Sequence, residues 1–236
     1  PYTTFPTGGY SDAVYLLADP RGEKGTVARC TVPKVASRLN AYHVRAEVSW
    51  ETERQGIRRV YAGSFMIRAA DFIDLDTFDN VVMQIHDWPD TADSAGDPPV
   101  HIVQRGRNIL VKLNGSTVAT TATAGERNAH LRTVASVPLL IDRWNSVVIE
   151  TAQQWWAPQV RVWINGALLC DERENVFYND SEAGGAQYAG GNWVKHGAYA
   201  YLPGTVASDV VVYQTGLIQA SGGWTGDEII ARRLVP

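Results

Sequence analysis

The sequence predicts an all-β domain, and three observations carry that prediction. Val, Thr, Tyr and Trp are frequent, while 21 Gly and 11 Pro residues supply turns, a balance that favours strands over helices. Short segments alternate apolar and polar residues with a period of two. Turn signals such as Thr7-Gly8-Gly9, Asp19-Pro20-Arg21-Gly22, Asn114-Gly115 and Asn165-Gly166 separate those segments throughout. With 236 residues and no repeat, linker or low-complexity stretch, the chain reads as one domain spanning 1–236.

Each element follows from its own pattern. Ala13-Val14-Tyr15-Leu16-Leu17 and Thr26-Val27-Ala28-Arg29-Cys30 read as strands, the first of them peripheral. From Ala41 to Trp50 the alternation is strict, with Val44, Ala46, Val48 and Trp50 on one face and His43, Arg45, Glu47 and Ser49 on the other. The segment Arg59 to Arg68 is expected beside it, leading through an acidic loop into Val81-Val82-Met83-Gln84-Ile85-His86. There the period of two assigns Val81, Met83 and Ile85 to one face and Val82, Gln84 and His86 to the other. A Pro/Gly/Asp-rich loop from Trp88 to Pro99 is long enough to overhang a groove.

Val100 to Val103, Asn108 to Leu113, Ser146 to Glu150 and Val160 to Ile164 read as hairpin strands. A glycine-rich loop ending in Gly190-Gly191 introduces Trp193 to Tyr201, in which Trp193, Lys195, Gly197, Tyr199 and Tyr201 share a face. Val210 to Tyr213 is a last core strand. Thr225-Gly226-Asp227-Glu228 has capping-box spacing ahead of Ile229, Ile230 and Leu234, so a short C-terminal helix is expected. Strands spaced by turns along the whole chain predict a two-sheet sandwich of the jelly-roll kind.

Bulk properties narrow the partners. A net charge of −4 without a Lys/Arg block argues against nucleic acid and anionic membrane. No apolar run reaches the ~18 residues of a membrane span. The opening Pro1-Tyr2-Thr3-Thr4 has neither a charged n-region nor an apolar core, which fits a mature secreted or periplasmic protein. Cys30 and Cys170 leave two alternatives open, a disulfide or two buried thiols.

Three strands carry chemistry on one face: Arg45 with Glu47, Gln84 with His86, and Lys195 with Tyr199. Together they offer a cation, an amide, an imidazole and a phenol, the set that proton abstraction next to a carboxylate requires. The C5 proton of a uronic acid is barely acidic while the neighbouring carboxylate is ionised. Arg45 and the Gln84 amide are suited to neutralise that group and stabilise the enolate-like state. His86 is a base at its ordinary pKa near 6.5; Tyr199 is suited to protonate the leaving glycosidic oxygen and, if a nearby cation such as Arg45 or Lys195 lowers its pKa from about 10, to act as the base.

Arg45-Ala46-Glu47-Val48, Gln84-Ile85-His86 and Trp193-Val194-Lys195-His196-Gly197-Ala198-Tyr199 resemble, in that order, the three signature strands of the jelly-roll polysaccharide lyases, the alginate lyase and heparin lyase I-like group. Arg143 to Ile149 and Val162 to Gly166 also resemble that group, so the likeness runs from Ala41 to Tyr201. The resemblance implies a concanavalin-like two-sheet jelly roll that cleaves a uronate-containing polysaccharide by β-elimination. It further implies catalytic roles for Arg45, Gln84, His86 and Tyr199. Glu47, Trp88, Arg105, Lys195 and Tyr201 are the expected substrate-binding residues. Ser49, Trp193-Val194, His196 and Tyr201 depart from the usual alginate lyase pattern, which keeps the elimination chemistry but opens the identity of the polymer.

No organic cofactor and no catalytic metal are expected, and the partner is an anionic polysaccharide bound by a monomer. Asp71, Asp74, Asp76 and Asp79 present a glycosidase carboxylate pair or a structural calcium site as alternatives to solvated loop residues. His43, His101 and His130 lack metal-ligand spacing. Trp88, Trp155 and Trp156 suit either sugar stacking or packing. A non-catalytic carbohydrate-binding or phage-adhesin domain and a glycoside hydrolase stand as the alternative functions.

Overall fold

A computed structural model describes residues 3–5, 14–32, 43–49, 53–54, 58–74, 76–77, 79–87, 98–114, 131–152, 159–173, 191–201 and 208–235. Within these, the backbone alone is described at 3–5, 43–45, 49, 53–54, 86–87, 191–193 and 201. In chain order the first strands are β1 (Thr3–Phe5), β2 (Val14–Ala18), β3 (Thr26–Val32), β4 (His43–Ser49), β5 (Glu53–Arg54), β6 (Arg58–Met66), β7 (Asp79–Asp87) and β8 (Val100–Arg105). There follow β9 (Asn108–Asn114), β10 (Leu131–Pro138), β11 (Asn145–Ala152), β12 (Gln159–Ile164), β13 (Ala167–Glu172), β14 (Gly191–Tyr201), β15 (Val210–Gln214) and β16 (Ile218–Ala220). One short helix, α1 (Gly226–Ala231), closes the series.

The strands form two antiparallel sheets, as the alternation and turn spacing predict. The front sheet has the order β1-β4-β14-β7-β8-β9-β10, with β5 added on β14. The back sheet runs β13-β12-β11-β6-β15-β3-β2, with β16 added on β6. Inward residues of both sheets, among them Ala46, Met83, Ile85, Ile102, Val111, Phe65, Ile149, Val162 and Val212, make one continuous core. Burying side chains of this size stabilises by about 1.5–3 kcal/mol each.

Local signals place several elements as expected. Asn165 and Gly166 both have positive φ, 51° and 81°, the geometry of a tight hairpin turn, here between β12 and β13. The Asn165 side chain also accepts from Ser146 N at 2.9 Å. Buried Asn145 donates to the carbonyls of Leu140 (2.9 Å) and Arg143 (3.0 Å). These two asparagines account structurally for much of the 143–149 and 162–166 likeness. Thr225 and Glu228 close the capping box in both directions. The helix then buries Ile229 on Val60, Ala62, Val148 and Trp163 of the back sheet. A Cβ at Gly226 would lie 2.3 Å from the Trp163 ring, so only glycine lets the helix start there.

Three expectations are corrected. β6 is not the neighbour of β4: after Met66 the chain passes a short 3-10 turn, Ala69–Asp71, and crosses between the sheets, leaving β6 between β11 and β15. The disulfide alternative fails, because β3 and β13 stand five strand spacings apart in the back sheet. At roughly 4.8 Å per spacing this is far beyond the ~7 Å limit on bridged Cα atoms, and both thiols are buried and free. Burial pushes the Cys30 thiol up to about 12 and the Cys170 thiol up to about 11.

The third correction concerns β7. Val81 packs with Val103 and Leu110 on the outer face of the front sheet, while Val82, Met83 and Ile85 lie in the core between the sheets. The face assignment of Val81 and Val82 is therefore the reverse of the simple period. The cause is a β-bulge: the β7–β8 register slips between Val81 and Met83, and an extra residue turns every later side chain over.

Candidate active site

The fold brings the three chemically equipped strands side by side, with β14 between β4 and β7. Tyr199 is paired with Arg45 on one side and Val81 on the other. Lys195 is paired with Ser49 and Gln84, and Trp193 with His86. Residues far apart in sequence thus occupy neighbouring rows of one sheet, where directly opposed Cβ atoms lie about 5 Å apart. Arg45, His86 and Tyr201 are located here by backbone register alone, and Trp88 lies outside the described residues, as do Trp155 and Trp156.

Glu47 and Gln84 meet across β14. The amide Nε2 of Gln84 donates to Glu47 Oε1, and both side chains are buried. Gly197, paired with Glu47, makes the approach possible. It has φ +153°, and a Cβ there would fall 2.2 Å from the Ala46 carbonyl oxygen and 2.7 Å from Glu47 Cα. Glu47 is 2% and Gln84 1% exposed, so the pair lies buried in the front sheet. A carboxylate oxygen only accepts, so the amide presents its nitrogen to Glu47.

Tyr199 rests on Val81, Val103 and Leu110, an apolar floor between two polar ends of the face. At the far end Asp79 accepts from Arg105 Nε (2.5 Å) and Nη2 (2.8 Å) and from Lys112 Nζ. Burial works to raise the Asp79 carboxyl, but the bonds from Arg105 and Lys112 outweigh it and hold it below the usual carboxylate range. Arg105 and Lys112 share Asp79, and Asp76 adds a second carboxylate near Arg105. Lys112 went unnoticed in the sequence, although Asn108, Leu110, Lys112 and Asn114 alternate with Ile109, Val111 and Leu113 in plain view. The acidic loop proves to be the counterpart of the β8–β9 hairpin, with Asp74 bonded to Arg107 at 3.1 Å. Among the described residues no group of three or more His, Cys, Asp or Glu forms a metal cluster.

His196 points the other way, into the protein. Its Nδ1 lies 2.7 Å from Gln214 Oε1, and burial lowers its pKa below the ordinary histidine value. The departure at this position therefore belongs to the core side of β14, not to the surface that carries Lys195 and Tyr199.

The arrangement brings an amide, an ammonium and a phenol into adjacent rows of one sheet face, next to the register positions of Arg45 and His86. Such a set can neutralise a carboxylate and move protons beside it.

Comparison with known proteins follows this geometry. No curated protein sequence matches the chain. Among solved structures it is similar to the endo-β-1,4-glucuronan lyase of the fungus Trichoderma reesei, with a TM-score of 0.66, 14% identity and 94% of each chain covered. It is also similar to a family 7 alginate lyase, with a TM-score of 0.61, 12% identity and 92% and 86% of the two chains covered. A glycoside hydrolase family 131 β-glucanase domain from Podospora anserina shares the fold as well, with a TM-score of 0.56, 15% identity and 95% and 86% covered. The jelly roll thus hosts both elimination and hydrolysis, and fold alone does not choose between them. The sequence profile described as polysaccharide lyase matches residues 14–216. The chain belongs to the polysaccharide lyase family.

Proposed function

We propose that this lyase cleaves a non-sulfated uronate polymer, of the polymannuronate or polyglucuronate kind, by β-elimination. The observation that carries the proposal is the row of Gln84 and Lys195 beside the row of Tyr199 on one sheet face. Arg45, the Gln84 amide and Lys195 neutralise the carboxylate of the sugar to be cut, which makes its C5 proton removable. His86 takes that proton, the C5–H electron pair forms the C4–C5 double bond, and the C4–O bond breaks. Tyr199 gives its proton to the departing oxygen. All these steps use side-chain groups of the chain itself.

Charge supports the substrate class. The chain has 21 Lys+Arg against 25 Asp+Glu, too few cations for a densely sulfated polymer. The paired Arg105 and Lys112 suit a further carboxylate of the polymer, and Tyr201 and Trp88 are assigned to sugar rings. Glucuronan and alginate, named for two of the similar structures, are both polymers of this class. The substrate class points to an enzyme acting outside the cytoplasm, secreted or periplasmic, as a monomer.

The test is a rate comparison over polymannuronate, polyguluronate, glucuronan, hyaluronan and heparin, reading the ultraviolet absorbance of the unsaturated product. A non-sulfated polyuronate is expected to be cut fastest, with the rate falling as salt screens the attraction. Faster cleavage of heparin than of every non-sulfated polymer would overturn the substrate assignment.

A further inference from the structure

In an unbroken β7, Asp79 and Val81 would share a face with Met83 and Ile85, and Gln84 and His86 would turn into the core. The active face exists because that parity is broken at Val82. The break is double. Between Val81 and Met83, β7 carries one more residue than β8, and between Tyr199 and His196, β14 carries one more than β7. Bulges free backbone groups from the ladder, and a buried free carbonyl is costly unless it finds a donor.

One side chain from the opposite sheet supplies both donors. Gln214, the last residue of β15, is 3% exposed. Its Nε2 lies 3.1 Å from the Val82 carbonyl and 3.1 Å from the Gly197 carbonyl, one on each bulged strand. Carbonyls only accept, so the amide orientation is fixed. Its Oε1 then faces His196 Nδ1 at 2.7 Å, which must carry the ring proton.

We propose that Gln214 is a positioning residue of the active site: reaching through the core, it pins the paired bulges of β7 and β14 and thereby sets Gln84 and His86 on the same face as Tyr199. For its activity readout this rests on the lyase reading above. Small displacements of reacting groups cost much rate, on the order of 100-fold per ångström. Gln214→Met keeps length and apolar packing but removes both donated bonds.

The experiment is a double-mutant cycle of Gln214→Met with Gln84→Ala, with kcat and KM measured well below each variant's melting temperature. The expected result is a kcat loss of about 10- to 100-fold for Gln214→Met with KM little changed. In the Gln84→Ala background the part of that loss that runs through Gln84 should vanish while the part through His86 stays, so the two losses should combine to less than their product. A lowered melting temperature with unchanged kcat, or losses that multiply fully, would overturn the proposal. If Gln214→Met does not fold, His196→Gln keeps the test open. It leaves the carbonyl bonds but loosens the amide, so a smaller kcat loss is expected, again partly suppressed by Gln84→Ala, and full activity contradicts the proposal. If the wild-type chain makes no unsaturated product, the lyase reading fails, and the clamp is then judged by retention on a polyuronate gel. Gln214→Met should weaken retention more while Gln84 is present, and equal weakening in both backgrounds overturns it.

Discussion

Asp79 and Glu150 are both carboxylates held by two cations, one on the outer face of the front sheet and one on the outer face of the back sheet. Glu150 accepts from Arg58 at 2.7 Å and from the Gly226 backbone at 2.7 Å, with Arg161 at 3.7 Å. Helix α1 starts on top of it, and its side chain is 1% exposed. Asp79 is 20% exposed and its partner Arg105 39%. The chemistry of the two clusters is alike, so pairing does not separate a binding site from a structural brace. Access differs: the Asp79–Arg105 pair is partly exposed, while helix α1 covers Glu150.

That contrast can be broken by substitutions on each face. The largest effect on activity is expected from Tyr199→Phe, which removes a proton-transfer group and little contact area. kcat should fall by about 10²- to 10⁴-fold while thermal melting and polymer retention stay near wild type. A near-normal rate would take Tyr199 out of the mechanism. On the back face, Glu150→Ala removes the acceptor of Arg58 and of the Gly226 amide, while Arg161 keeps Asp227 at 2.9 Å. Breaking a buried pair in this way costs about 3–5 kcal/mol, so the urea midpoint should drop sharply with kcat unchanged for the folded fraction. A Glu150→Ala protein of ordinary stability would show that the brace is dispensable.

Lys112→Met gives the smallest of the three effects and sharpens the comparison most. The stem stays packed while the charge goes and Asp79 keeps Arg105, so stability should fall by about 1–3 kcal/mol, the cost of a lost buried charged hydrogen bond. KM for a polyuronate should rise by up to tenfold, about 1.4 kcal/mol of binding, and its salt dependence should flatten. An unchanged KM would make the Asp79 cluster a brace like that of Glu150.

What could be read in the sequence was what short-range chemistry dictates. The Asn165-Gly166 turn, the Thr225–Glu228 capping box and the period-two runs each depend on a few adjacent residues, and each stands where it was expected. The order of the equipped strands was legible only as a resemblance, because nothing local says that β14 inserts between β4 and β7. The Val81/Val82 reversal was hidden for the same reason. A bulge is decided by the partner strands and by Gln214, distant residues that no window around Val82 contains. Lys112 is legible in the alternation of Asn108, Leu110, Lys112 and Asn114, which assigns it to the face of Leu110. Trp88 and the loop following it lie outside the described residues, and Arg45 and His86 are placed there by register alone.

The central claim is elimination on the front face, and its most direct measurement is stoichiometric. β-Elimination makes one C4–C5 double bond for every chain end it creates, whereas hydrolysis makes chain ends and no double bond. Wild-type protein acting on the preferred polyuronate should therefore give ultraviolet-absorbing double bonds and new reducing ends in equal molar amounts throughout the reaction. New reducing ends without that absorbance would contradict the account in favour of hydrolysis, and polymer retained on the protein with neither product would leave only binding.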